Sequence, residues 1–108
     1  DCFTPTELIL YEDLGFAPEG KAWQDVLDGT FALDGSLPVN PDGGLKSFGH
    51  PIGASGLRMM YEMWLQLRGE AGPRQIDNPK LGLTHNLGGR PGKCVSFVSI
   101  VGKERNAD

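Results

Sequence analysis

At 108 residues the chain has the size of one ordinary domain, and its 39% hydrophobic residues are enough for one core. Ten Lys plus Arg against fourteen Asp plus Glu leave a formal net charge of -4, which excludes a basic field able to steer nucleic acid or an anionic membrane surface. No apolar run approaches the roughly 20 residues of a bilayer-spanning helix. The two cysteines, Cys2 and Cys94, have neither zinc-site spacing nor the density of a disulfide scaffold, which points to a reducing, cytoplasmic setting.

The chain opens at Asp1 and passes at once into Cys2 and Phe3, an apolar start expected of a piece whose N-terminal portion lies elsewhere. Thr4, Pro5 and Glu7 predict a helix over residues 5–14, with Thr4 as N-cap, Pro5 in the first turn and Glu7 closing a capping box. Gly15 ends it, and a second short helix is expected over 21–27, stopped by Gly29. Residues 30–35 suggest a small hairpin about Asp34-Gly35.

From 37 to 56 glycine and proline become dense, as in a polar loop leading into a helix. Leu57, Met60, Trp64 and Leu67 then form a helical stripe that Tyr61 and Leu65 widen. Arg58, Glu62 and Gln66 make a narrow polar strip, so this helix is expected to be largely buried by its apolar side. The Met59, Met60, Met63 and Trp64 cluster fits the same helical spacing and no metal-binding pair accompanies it, so packing explains it. A connector over 69–79 leads to a strand over 80–85, a Gly-rich turn over 88–92, and an alternating strand over 93–101 in which Cys94 reads as core. The two strands are expected to pair antiparallel. Helices feeding strands in this order give an α/β layer structure, and residues 103–108 read as a polar end without a peroxisomal address.

Three segments carry possible chemistry. His50 lies among glycines just before the long helix, where backbone N–H groups face outward. It suits a base, a proton shuttle or an oxyanion donor, and equally an incidental histidine in a glycine-rich turn. His85, Asn86 and Gly88 end a strand, which suits either a ligand-facing corner or an ordinary hairpin turn. Cys2 reads either as a reactive thiol or as a small buried hydrophobe.

Taken together, these segments resemble the thiolase family, whose C-terminal half carries the pattern N-x-x-G-G-x-[LIVM]-[SA]-x-G-H-P-x-G-x-[ST]-G. Residues 40–56 match it from Asn40 through Ser47, Gly49, His50 and Ser55 to Gly56, except that Lys46 stands where the pattern has an aliphatic residue. Asp1-Cys2-Phe3 is similar to the end of the His-Asp-Cys-Phe motif of the sterol carrier protein X branch. Asn86 stands where the second catalytic cysteine of ordinary thiolases would be.

The resemblance covers essentially the whole chain, residues 1–108, as a thiolase C-terminal domain. It implies a mixed β-sheet packed with helices, layered α-β-α in a full subunit that also has an N-terminal half and forms homo-oligomers. The implied reaction is reversible cleavage of 3-ketoacyl-CoA by free CoA through a cysteine thioester formed in that other half. Coenzyme A is then a substrate, with no resident cofactor or metal, and an accessory protein is a further possible partner. His50, Cys2 and Gly88 become the implied catalytic residues: base and thioester-oxygen donor, proton exchanger, and oxyanion-hole amide. His85, Asn86, Gly49 and Ser47 become the implied substrate contacts. Two other readings are a thiolase-like aldolase acting on 3-hydroxyacyl-CoA, against which Gly49-His50-Pro51 argues, and a non-catalytic subunit binding acyl-CoA or a partner protein.

Overall fold

The computed structural model describes residues 1–104; residues 105–108, where most of the expected polar end falls, lie outside them. The chain divides into two compact units, Asp1–Phe48 and Gly49–Asp108.

In the first unit, α1 spans Thr4–Asp13 and α2 spans Ala22–Leu27. The expected capping box does not form. Phe3, in extended conformation, takes the N-cap position without a side-chain cap bond, and Thr4 is already helical. Glu7 instead accepts from the Tyr11 hydroxyl one turn on, and from Asn40 Nδ2 at 3.2 Å. Once Tyr11 is buried, its hydroxyl needs an internal acceptor, and a carboxylate one turn away supplies it.

Glu12 does the capping for α2: its two oxygens accept the N–H of Gly20 at 2.7 Å and of Ala22 at 3.3 Å, holding a negative charge at the positive end of that helix. The core here is Tyr11, Ala17, Ala22 and Phe31, with Leu8, Phe16 and Val39 against it. The Tyr11 and Phe31 rings lie 4.1 Å apart.

The hairpin expected over 30–35 is absent. Successive turns close through Ala32 N to Gly29 O at 3.2 Å and Gly35 N to Ala32 O at 2.9 Å, bonds between residues three apart that curl the chain where extended arms were expected, and Phe31 is buried in the core. The loop expected over 37–56 also contains a short helix, α3, over Gly44–Phe48; the Asp42 carboxylate receives the Gly44 N–H at its entry, at 2.9 Å. Lys46, the charge where an aliphatic residue was expected, lies exposed on α3.

The second unit contains α4 over Ser55–Arg68, a single 3-10 turn over Gly72–Arg74, and the antiparallel pair β1, Leu81–Arg90, and β2, Lys93–Gly102. Pairing runs unbroken from Leu81↔Gly102 to Arg90↔Lys93, so Gly88 and Gly89 belong to the strand. The turn shrinks to Pro91-Gly92, where proline presets the first central φ and Gly92 takes the positive φ of 77°.

Side chains alternate along a strand. The residues 82, 84 and 86 form the β1 face that meets α4. Thr84 Oγ1 lies 3.8 Å from Met60 Sδ, and a Cβ placed on Gly82 would sit 2.6 Å from Met63 Sδ. A glycine at 82 thus lets helix and strand approach closely.

The burial of α4 departs in part from the expectation from its stripe: Leu67 is buried as expected, but so is the polar strip. Glu62 is 4% exposed and Gln66 is 3% exposed, whereas Leu57 is 74% exposed. The physical reason is the connector, an irregular segment with backbone groups that need partners. Gln66 Nε2 donates to Arg74 O at 2.9 Å, Ile76 N donates to Gln66 Oε1 at 2.9 Å, and Arg74 binds Glu62. On the opposite side Trp64 stacks with Tyr61 at 5.8 Å and is covered by the Arg68 guanidinium at 4.7 Å. Cys94 is exposed, not core, because β2 is an edge strand with most of its side chains in the open.

Candidate functional site

His50 precedes α4 by a turn formed at Pro51, whose carbonyl accepts the N–H of Ala54 at 2.7 Å and of Ser55 at 2.9 Å. That turn folds the chain back so that Ser55, the first residue of α4, meets the imidazole: His50 Nδ1 and Ser55 Oγ are 2.7 Å apart. Ser55 is 2% exposed, and its hydroxyl also lies 3.2 Å from Pro51 O. The imidazole itself is exposed. One ring nitrogen is therefore anchored in a buried polar contact while the ring faces outward, an arrangement suited to moving a proton at the other nitrogen.

Asn86 comes to the same end of α4. A Cβ on Gly56 would lie 3.6 Å from both polar atoms of the Asn86 carboxamide, so the carboxamide lies beside Gly56 with room for no more than a methyl group between them. The correspondence between strand and helix is regular, with Gly82 at Met63, Thr84 at Met60, and Asn86 at Gly56. Gly88 continues this face two residues on, paired with Val95, with nothing within 4 Å of the position its Cβ would occupy. The second unit thus brings His50 and Asn86 to the N-terminal end of α4, with Gly88 two residues further along the Asn86 face of β1.

His85 does not join them. It alternates to the other face of β1, is 8% exposed, and its Nε2 lies 2.7 Å from Ser96 Oγ. Burial holds its pKa below the ordinary histidine range, which favours the neutral ring. Gly49, beside His50, is exposed with φ of 80°. Ser47 belongs to the first unit, where its hydroxyl donates to Gly43 O at 3.2 Å. Cys2 is also in the first unit, as an exposed free thiol just before α1.

Two side-chain contacts escape a reading of the sequence by itself. Ser55 is visible there as the hydroxyl position of the glycine-histidine-proline pattern, but its contact with His50 depends on the turn at Pro51. Ser96 is one of several serines on β2, and only the register brings it diagonally beside His85. Among the described residues no group of three or more His, Cys, Asp or Glu side chains could hold a metal ion, and no helix is long and apolar enough to cross a membrane.

This mixed α/β unit, with a glycine-histidine-proline turn set against the end of a strand bearing Asn86, is the class of structure expected of a thiolase C-terminal half. The chain belongs to the thiolase C-terminal domain-like family, which matches residues 1–101. It is 48% identical over 98 residues to an acetyl-CoA acetyltransferase of Methanothermobacter thermautotrophicus, covering 91% of this chain and 26% of that protein. It is 51% identical over 88 residues to sterol carrier protein 2 of Oryctolagus cuniculus, covering 82% of this chain and 16% of that protein. A third relative, non-specific lipid-transfer protein-like 2 of Caenorhabditis elegans, is 46% identical over 88 residues, covering 82% of this chain and 21% of that protein. The chain therefore spans between 16% and 26% of the length of these relatives.

Proposed function

We propose that this chain forms part of a thiolase-type acyltransferase that cleaves 3-ketoacyl-CoA reversibly with free CoA, or condenses acyl-CoA units in the reverse direction. The observation that carries the reading is His50, exposed at the N-terminal end of α4 with Nδ1 against the buried Ser55 hydroxyl and with Asn86 beside the same turn of helix. Its relationship to acetyl-CoA acetyltransferases supports the same reading.

The nucleophile in this proposal is a cysteine in another part of the subunit. Its thiol gives a proton to His50 and attacks the 3-keto carbon. The bond between carbons 2 and 3 then breaks, and the departing acetyl-CoA enolate takes up a proton, leaving an acyl thioester on the cysteine. Protonated His50 donates toward the thioester oxygen, the Gly88 amide contributes to an oxyanion hole, and Cys2 exchanges the proton at the substrate carbon or at the incoming CoA sulfur. Gly49, Asn86 and Ser47 are the proposed substrate contacts from this chain. The remaining half of the subunit and a second copy complete the enzyme.

The test is cleavage of 3-ketoacyl-CoA and 3-hydroxyacyl-CoA by the full-length protein, with and without free CoA, beside the His50→Ala variant. CoA-dependent ketoacyl cleavage that the variant loses supports the proposal. CoA-independent hydroxyacyl cleavage replaces it with an aldolase. Acyl-CoA binding without turnover of either substrate replaces it with a non-catalytic binding subunit, a reading that one relative's name as a lipid-transfer protein keeps in view.

A further inference from the structure

The Ser55 hydroxyl has one proton and two polar neighbours: His50 Nδ1 at 2.7 Å and Pro51 O at 3.2 Å. A carbonyl oxygen only accepts, so the hydroxyl can bond to Pro51 O in one sense alone, by donating. If that proton goes to Pro51, the contact with His50 is a hydrogen bond only when Nδ1 carries its own proton and donates to Ser55 Oγ. This is the one assignment of protons that makes both contacts hydrogen bonds. At 2% exposure Ser55 has little access to water as a substitute partner, so satisfying both contacts decides the arrangement. Donation from a serine to the carbonyl four residues back is also a familiar habit of hydroxyls in the first turn of a helix.

From this geometry we infer that Ser55 is a positioning residue that holds neutral His50 as its Nδ1–H tautomer. The consequence lies on the opposite side of the ring. With the proton confined to Nδ1, the Nε2 lone pair is unoccupied and ready to take a proton from a thiol. When it does, the imidazolium still donates from Nδ1 to the same oxygen, so neither protonation state requires Ser55 to move. The arrangement thus serves one nitrogen that accepts a proton and then donates toward an oxyanion. The chemical meaning of the inference rests on the proposed function; the tautomer does not.

Histidine-selective 15N labelling of the full-length protein, read by long-range proton–nitrogen correlation at alkaline pH where the imidazole is neutral, tests it directly. The expected spectrum has a protonated, pyrrole-type Nδ1 and a pyridine-type Nε2 at His50. Ser55→Ala is expected to shift that pattern toward the Nε2–H form, while Ser55→Thr, which keeps the hydroxyl, preserves it. In turnover, Ser55→Ala is expected to lower kcat about 10-fold or more with KM nearly unchanged, and Ser55→Thr to restore most of it. An Nε2–H ring in the unsubstituted protein, or a His50 tautomer indifferent to loss of the Ser55 hydroxyl, overturns the inference. The expected tautomer in a protein that cleaves neither CoA substrate supports the positioning role and removes the proposed function instead, so the two failures are separable.

Discussion

The Glu62 carboxylate binds the Arg74 guanidinium through two nitrogens, with Nε at 3.0 and 3.1 Å from its two oxygens and Nη2 at 2.8 Å from one of them. Glu62 is buried within α4, whereas the Arg74 side chain is 36% exposed. Removing Arg74 leaves a buried carboxylate with, among the described residues, the Gln66 amide as its side-chain hydrogen-bond donor, at 3.0 Å. Arg74→Ala is therefore expected to destabilise the fold by about 2–3 kcal/mol, somewhat below the usual loss for a fully buried pair. Urea denaturation measures this, and a lowered midpoint with an unchanged slope is the expected result.

The approach of Gly82 to Met63 makes a second prediction. Gly82→Ala brings a Cβ to 2.6 Å from Met63 Sδ and 3.1 Å from Met63 Cβ, too close for movement of the sulfur alone to relieve. A loss of about 1–3 kcal/mol is expected. Combining it with Met63→Ala relieves the crowding, so the double variant should be less damaged than the sum of its parts. A strictly additive cycle would show that helix and strand do not meet there.

Two buried groups set opposite pH dependences. His85 has a depressed pKa because of burial, so the unfolded chain takes up its proton first as pH falls. The stability it contributes is present above the unfolded value of about 6.5 and is lost as pH falls through the folded value. Tyr11 has a raised pKa, first from burial and then from its hydrogen bond to Glu7. Its contribution is present below the unfolded value of about 10 and is lost as pH rises toward the folded one. Denaturation midpoints across pH should fall at both ends. His85→Gln should flatten the acid limb and Tyr11→Phe the alkaline limb; a limb left unchanged by its variant would assign that limb to another group.

Leu57 on α4 and Val95, Phe97 and Ile100 on β2 stand exposed, and among the described residues β2 has one edge that pairs with no strand. The 108-residue chain prepared alone is expected to bind a hydrophobic dye and to self-associate as concentration rises. A monodisperse, dye-silent chain in sedimentation and fluorescence measurements would contradict this.

At the site itself, His50→Ala in the full-length protein is expected to lower CoA-dependent cleavage by about 10²–10⁴-fold while leaving the denaturation midpoint near its original value. Its ring is exposed, so catalysis and stability should separate at this position.

Much of this is legible in the order of residues. Residues 4–13, 22–27 and 55–68 carry helix signals, the two strands carry theirs, and the glycine-histidine-proline pattern by itself marks the candidate site. These features are local: a glycine stop, a proline in a first turn or an alternating run acts over a few residues. The short helix over Gly44–Phe48 was hidden because a glycine-rich stretch reads as loop until Asp42 caps it. The apparent hairpin at 30–35 dissolved because Phe31 had a core to enter.

What tertiary structure alone decided was which side of each element faces inward and which side chains share a site. Periodicity places Glu62 and Gln66 on one strip of α4, but that strip is buried because a connector with unpaired backbone groups lies across it. His85 and Asn86 are neighbours in sequence, yet strand alternation sends one to Ser96 and the other to Gly56. A residue's type and spacing are properties of the chain; its partners are supplied by segments that only folding brings to it.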